Sequence, residues 1–174
     1  MQAPGLTSGA MRKLIEHFGT ASAVLEAGRK RWTEFGLSAP TRRALEKPDR
    51  DQLQRDLAWA AAPGHHLIGW GDPAYPRLLT TISSPPPVLY VSGDVRWLHQ
   101  PQLAVVGSRN PSFGGRELAG EFAAFAVGAG LTVTSGLALG IDASAHTGAL
   151  DGGGHTVAVM ATGPERIYPP RHLA

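Results

Sequence analysis

The sequence predicts an α/β protein in which a small all-α bundle precedes a parallel βαβαβ sheet. Two patterns carry this prediction. From residue 102 onward, three short apolar runs alternate with two segments of helical spacing, the order expected of a parallel sheet joined by crossover helices. Before residue 62, apolar residues recur at helical spacing and glycines cut them into short pieces. Pro63-Gly64 marks the change of pattern. The expected organisation is a helical bundle over 1–62, a connector over 63–101 packed on the next domain, and an α/β domain over 102–174.

Within the bundle, Met11, Leu14, Ile15 and Phe18 share one helix face, and Gly19 stops that helix. Ser22 to Ala27 makes a short helical segment ended by Gly28. Trp32, Phe35 and Leu37 form an apolar knot before a third helix that Ser38 or Thr41 caps. Pro48 interrupts it, and a fourth helix runs from about Asp49 to Ala62, with Leu53 and Leu57 one turn apart and Trp59 following. Glycine-terminated short helices of this kind resemble helix-hairpin-helix or sterile-alpha-motif (SAM-like) bundles. Such bundles serve either as DNA-backbone binders or as docking modules.

In the connector, His66 to Trp70 reads as a short strand, and Pro73, Pro76 and Pro85-Pro86-Pro87 exclude a continuous helix. Val88 to Val91 is a second β-rich run, ended by Ser92-Gly93. The aromatic residues Trp70, Tyr75, Tyr90 and Trp97 read as clamps on this segment rather than as base-stacking rings. Beyond it, Leu103 to Val106 is continuously apolar, as for a strand buried on both faces. Ser112 starts a helix to about Val127, with Leu118, Phe122, Phe125 and Ala126 on one face. Gly128 and Gly130 end it, and Leu131 to Thr134 is the second strand. Asp142 caps a helix to Leu150, Gly152-Gly153-Gly154 breaks it, and Thr156 to Met160 is a third buried strand.

Composition narrows the function classes. The chain has no cysteine, which removes disulfide scaffolds, thiolate metal sites and cysteine nucleophiles, and fits a cytoplasmic protein. The opening residues, MQAPGLTSGAMRK, show no basic start followed by an apolar run, so they do not read as a secretory leader. The most membrane-like stretch, Leu118 to Gly140, carries Glu121 and several Gly, Ser and Thr residues, and reads as helix, turn and strand rather than a membrane span. A net charge of +2 decides little, but 13 of the 16 basic residues are arginine, the cation suited to bidentate phosphate contacts.

In a parallel sheet all strands end at one edge, where ligands bind. Three loops leave that edge: Gly107–Gly115, Ser135–Asp142 and Ala161–Pro164. The first two contain small residues and lead into helix N-termini, whose unpaired N–H groups favour anions. Arg109 stands just past the first strand, within reach of a phosphate held there. The glycines at 107, 114 and 115 do not form GxGxxG, and no GxxxxGK[ST] occurs, so neither a dinucleotide fingerprint nor a P-loop is present. Asp142 and His146 lie four apart on one helix face, either as an acid–base pair or as a cap and a packing residue. No third partner accompanies them, which favours the second reading. The seven histidines form no HExxH and no carboxylate cluster, so no metal site or cofactor is expected.

These residues carry a resemblance. Asp72-Pro73-Ala74-Tyr75-Pro76 with Pro85-Pro86-Pro87-Val88-Leu89-Tyr90 and Gly93 resembles the lead-in segment of the DNA-processing protein A (DprA/Smf) family. Ala104-Val105-Val106-Gly107-Ser108-Arg109 resembles its first Rossmann strand and phosphate loop. Ser135-Gly136-Leu137-Ala138-Leu139-Gly140-Ile141-Asp142, with Ala145-His146 and Gly148-Ala149-Leu150, resembles its signature loop and helix. Thr156-Val157-Ala158-Val159 and Tyr168-Pro169-Pro170 follow in order.

The resemblance implies a Rossmann-like domain and a bacterial cytoplasmic protein, without catalytic activity, that binds single-stranded DNA in natural transformation. It implies partnership with single-strand-binding protein and loading of the RecA recombinase. It places DNA backbone contacts at Gly107, Ser108 and Arg109, with Ser135, Gly136 and Gly140 in the same pocket and Ser112, Asp142 and His146 in structural or secondary roles. Relative to the family, the Rossmann-like domain is expected to be cut short after its first half, leaving out the half that carries the homodimer contacts. The third loop, Gly163-Pro164-Glu165, departs from the family pattern. A three-stranded sheet of this kind bares apolar faces, so the isolated chain is expected to be marginally stable or prone to aggregation. The competing reading is a nucleoside-monophosphate-hydrolysing enzyme of a related Rossmann-like group, using Asp142 or His146, although that group's glycine–threonine–glutamate signature is missing.

Overall fold

A computed structural model describes residues 5–163. The expected third loop is thus described only to Gly163, and Glu165 and Tyr168-Pro169-Pro170 lie outside the described residues. The α/β class holds: helices come first, and a two-stranded antiparallel sheet and a three-stranded parallel sheet follow in order. The chain divides into two compact units between Gly93 and Asp94, inside the segment expected as a connector.

The first unit opens with α1 (Ser8–Phe18), α2 (Ala21–Glu34), α3 (Ala39–Glu46) and α4 (Arg50–Ala60). Each begins on a side-chain cap, because a short helix leaves most of its first N–H groups without intrahelical acceptors. Thr7 accepts from Ala10 N, Thr20 from Ala23 N, Ser38 from Thr41 N and Asp49 from Gln52 N, at 2.9–3.3 Å. Leu14, Val24, Trp32, Leu37 and Leu45 bury together as the core, and the Trp32 indole N–H donates to Val24 O at 2.6 Å. Gly28 ends the second helical segment as expected: its φ of 74° is not helical and breaks α2 at this point, and a second helical stretch begins just after it, from which Trp32 enters the core. Strands β1 (His65–Gly69) and β2 (Val88–Ser92) then pair antiparallel. They join the helices through Trp59, which stacks on His65 at 4.2 Å and lies 5.5 Å from Tyr90. Tyr75 is buried beside Trp70 and donates its hydroxyl to Pro86 O at 2.7 Å.

The second unit contains β3 (Gln102–Ala104), α5 (Phe113–Gly128), β4 (Thr132–Ser135), α6 (Ile141–Asp151) and β5 (Thr156–Ala158). The strands are parallel in the order β3-β4-β5, with Leu103 beside Val133 and Val133 beside Thr156. Both helices cover the face that carries these three residues. Ala123 and Ala126 of α5 and Ala145 and Ala149 of α6 bury around Val133. A short 3-10 turn (Val95–His99) precedes β3, and Trp97 stacks on His155 at 3.4 Å.

Two expectations about this unit need correction. The outer strands are not buried on both faces: β3 and β5 end at Ala104 and Ala158, which are exposed, as are Val106, Val159 and Met160 beyond them, whereas the central β4 is buried on both. Nor do Leu118, Phe122 and Phe125 form the buried face of α5. They are exposed, and the stripe of Ala119, Ala123 and Ala126, one position further on, is buried instead. The cause is the separation of the two helices. A Cβ on Gly148 would overlap the backbone of Gly120, and Cβ atoms on Gly152 and Gly154 would run into Val127. At that separation only small side chains fit the inner face of α5.

Gly148→Ala is therefore expected to destabilise the second unit by about 1–3 kcal/mol through overpacking. Phe125→Lys, at an exposed position, should stay within about 0.5 kcal/mol. Urea unfolding midpoints of the two variants check both values.

Candidate nucleic-acid interface

The C-terminal ends of β3 and β4 release the two loops that define the candidate site. The first runs from Val105 to Ser112. Val105 N still donates to Thr134 O at 2.9 Å, so the chain leaves the sheet just before Gly107, and Gly107 to Asn110 are all exposed. Ser108 Oγ accepts from Asn110 N at 3.1 Å, which turns the loop, and Ser112 caps α5 by accepting from Gly115 N at 3.2 Å. Arg109 is exposed, and among the described residues its guanidinium pairs with no carboxylate. Arg116, which sequence reasoning did not single out, reaches back to Pro111 O at 3.5 Å and adds a second cation beside the loop. The signal was its place in the first turn of a helix that leaves a phosphate-loop-like segment.

The second loop, Ser135 to Gly140, fixes the first. Gly140 has φ 85° and lies so close to Ser108, Arg109 and Pro111 that a Cβ there would overlap their atoms. Ile141 N donates to Ser108 O at 3.1 Å. Gly107 sits against the Ile141 side chain, with an added Cβ coming within 2.7 Å of it. Glycine is required at 107 and 140 by this contact.

The expected site residues therefore divide into two groups. Gly107, Ser108 and Arg109 present an open backbone and a cation. Ser135, Gly136 and Gly140 are brought next to them but are engaged with the protein. The buried Ser135 hydroxyl donates to Val105 O at 2.6 Å and ties β4 to the end of β3. Gly136 N donates to Asp142 Oδ2 at 3.1 Å, and Ala138 N to the same oxygen at 3.3 Å. Asp142 is thus not the helix cap that its position suggested. Gly140 occupies the N-cap position, and Asp142, within the first turn, folds back on the preceding loop. Its charge sits at the positive end of α6, where a carboxylate is favoured. Between the two bonded N–H groups, Leu137 takes φ 55°, a left-handed conformation that costs a non-glycine residue on the order of 1 kcal/mol. His146 is buried, and its Nδ1 lies 2.7 Å from Thr156 Oγ1. Because that hydroxyl donates to Val133 O, it accepts from His146, and the contact pins α6 to β4 and β5.

Asp142→Ala should leave two loop N–H groups without their acceptor and cost about 1–3 kcal/mol. Amide hydrogen exchange should speed up at Gly136 and Ala138 ahead of the strands, and unchanged protection there would refute the bracing role.

Among the described residues no group of side chains has metal-ligand geometry, and no helix is long and apolar enough to cross a membrane. The sequence profile of the DNA recombination-mediator protein A family matches residues 66–174. Protein Smf of Escherichia coli is 41% identical over 123 residues, which cover 71% of this chain and 33% of that protein. The X-ray structure of DNA processing protein A from Streptococcus pneumoniae superposes with a TM-score of 0.77 at 27% identity, over 98% of this chain and 58% of that one. A structure of DNA processing protein A from Helicobacter pylori, described for its single-stranded-DNA binding mode, superposes with a TM-score of 0.55 at 26% identity, over 62% of this chain and 47% of that one. The chain spans about a third of the length of the Escherichia coli relative. With the profile matching well over half of its length, the chain belongs to the DNA recombination-mediator protein A family.

Proposed function

We propose that this chain is a non-catalytic single-stranded-DNA-binding module of DNA processing in natural transformation, and that it captures the sugar–phosphate backbone at the Gly107–Arg109 loop. The observation that carries this reading is the exposed Arg109, with no carboxylate partner among the described residues, on a loop held in shape by the Ile141 N–H bond to Ser108 O. Arg109 and Arg116 supply the charge, the open backbone at Gly107 and Ser108 lets a phosphate approach, and the N-terminus of α5 adds a favourable dipole. Contacts of this type position a strand without reading its bases. The Helicobacter pylori protein described as binding single-stranded DNA supports the choice of ligand. In the whole protein the same reading extends to cooperation with single-strand-binding protein, loading of the RecA recombinase, and a homodimer in the cytoplasm.

The placement of Asp142 and His146 supports the non-catalytic assignment. Both side chains are buried. The carboxylate is engaged with two loop N–H groups and the imidazole with Thr156, so neither is presented to a substrate as an acid–base pair.

Fluorescence anisotropy with a labelled oligothymidine, against a duplex control, tests the reading. Arg109→Ala is expected to weaken binding by about 1–3 kcal/mol, the range of a charge-assisted contact. The slope of log affinity against log salt should fall by roughly 0.7 for each phosphate that the variant no longer neutralises. Equal affinity and slope in wild type and variant would refute the site. Release of free base from a nucleoside monophosphate, abolished by Asp142→Asn, would favour the hydrolase instead.

A further inference from the structure

We propose that Phe113 is a base-stacking platform for the single strand whose phosphate lies on the Gly107–Arg109 loop; the inference rests on the reading of that loop as a backbone-binding site. Phe113 is the first residue of α5, immediately after the Ser112 cap, and it is 75% exposed. A large aromatic ring at this position contributes no core packing and presents its face to solvent, open to a ligand.

Phe113 is distinct from the exposed apolar stripe of α5. At about 100° per residue, it lies about 140° around the helix from Leu118 and about 180° from Phe122. It shares its flank instead with Gly120, two turns on, where α5 meets α6 at Gly148. The second loop meets the first with Gly140 against Ser108, Arg109 and Pro111. The ring stands four residues beyond the exposed Arg109, in the short segment that carries the first loop into α5.

This arrangement supplies what a phosphate grip lacks. Phosphate contacts position a strand but carry no information about its bases, since single and double strands share the same backbone. An exposed aromatic face accepts any base by stacking, but only a base that is not already stacked and paired in a duplex. A nucleotide held by its phosphate on the loop would project its base toward the start of α5, where Phe113 provides that face. The ligand class is an unpaired nucleobase in a polynucleotide, without sequence preference.

The test measures binding of the full 174-residue chain to a labelled oligothymidine and to an abasic sugar–phosphate oligomer of equal length, for wild type, Phe113→Ala, Phe113→Leu and Phe113→Tyr. Circular dichroism melts accompany each variant, and the exposed position of Phe113 favours folding of all three. Wild type should prefer oligothymidine over the abasic strand by about 5- to 140-fold, the span of one base–aromatic stack. Phe113→Ala and Phe113→Leu should lose that preference, while binding of the abasic strand stays unchanged; Phe113→Tyr should retain it. Oligothymidine affinity unchanged in the Ala and Leu variants would overturn the platform and leave the backbone site standing. An equal loss on both ligands would also overturn it, since the ring would then act through loop shape. Failure of wild type to bind either strand would overturn the backbone reading, and the platform with it, before any variant is compared.

Discussion

The close approach of α5 and α6 is the constraint on which the second unit depends. Gly148 leaves no space for a Cβ against the backbone of Gly120, and Gly152 and Gly154 leave none against Val127. Two parallel helices that close must share one face of a narrow sheet, and their N-termini must emerge side by side. The loops that precede them are thereby forced into contact, which is why Gly140 presses on Ser108 and why Ile141 N finds Ser108 O. Glycines at the helix contact and glycines at the loop contact are two consequences of one geometry. A side chain at either place would part the loops that form the candidate site.

The loops are held with local strain offset by buried polar bonds. Leu137 occupies a left-handed conformation without being glycine, and Asp142 accepts from the N–H groups on both sides of it. A carboxylate bound by two N–H groups is a charge-assisted arrangement, stronger than neutral bonds. It is of the right size to offset a strained residue. It also means that part of the backbone an anion would use is already occupied by an anion from the protein. The exposed cations, Arg109 and Arg116, lie on or beside the first loop, so on the proposed reading the two loops divide the work: the second shapes, the first presents.

Much of this was legible in the sequence. The glycine stops, the Ser38 cap and the alternation of apolar runs with helical segments follow from properties that act locally. The burial of α5 was not legible. Leu118, Phe122 and Phe125 recur at the same spacing as Ala119, Ala123 and Ala126, and size alone favours the larger set as core. Only the distance between α5 and α6 reverses that preference, and distance is a tertiary property. Asp142 was misread for a similar reason. Asp is a common cap by type, and that its carboxylate turns back to Gly136 and Ala138 depends on the left-handed step at Leu137. Gly28 does interrupt α2 where a stop was expected; what was not legible is that a new helical stretch starts at once, with Trp32 buried on it. Local rules located the elements, and packing decided which side of each was used.

The openness of the first loop bears on the kind of ligand it suits. Gly107 to Asn110 are exposed, and the nearby arginines stand in water rather than in a closed pocket. Exposed charges of this sort are screened by salt and give modest energy per contact. A mononucleotide is normally held by enclosure, with most of its surface buried, and a shallow loop does not provide that. A polynucleotide needs no enclosure, because successive phosphates repeat the same weak contact along its length and each additional contact adds to the hold. On the proposed reading, the shallow geometry is therefore itself an argument for a polymeric ligand over a small substrate, independent of the engagement of Asp142 and His146 within the fold.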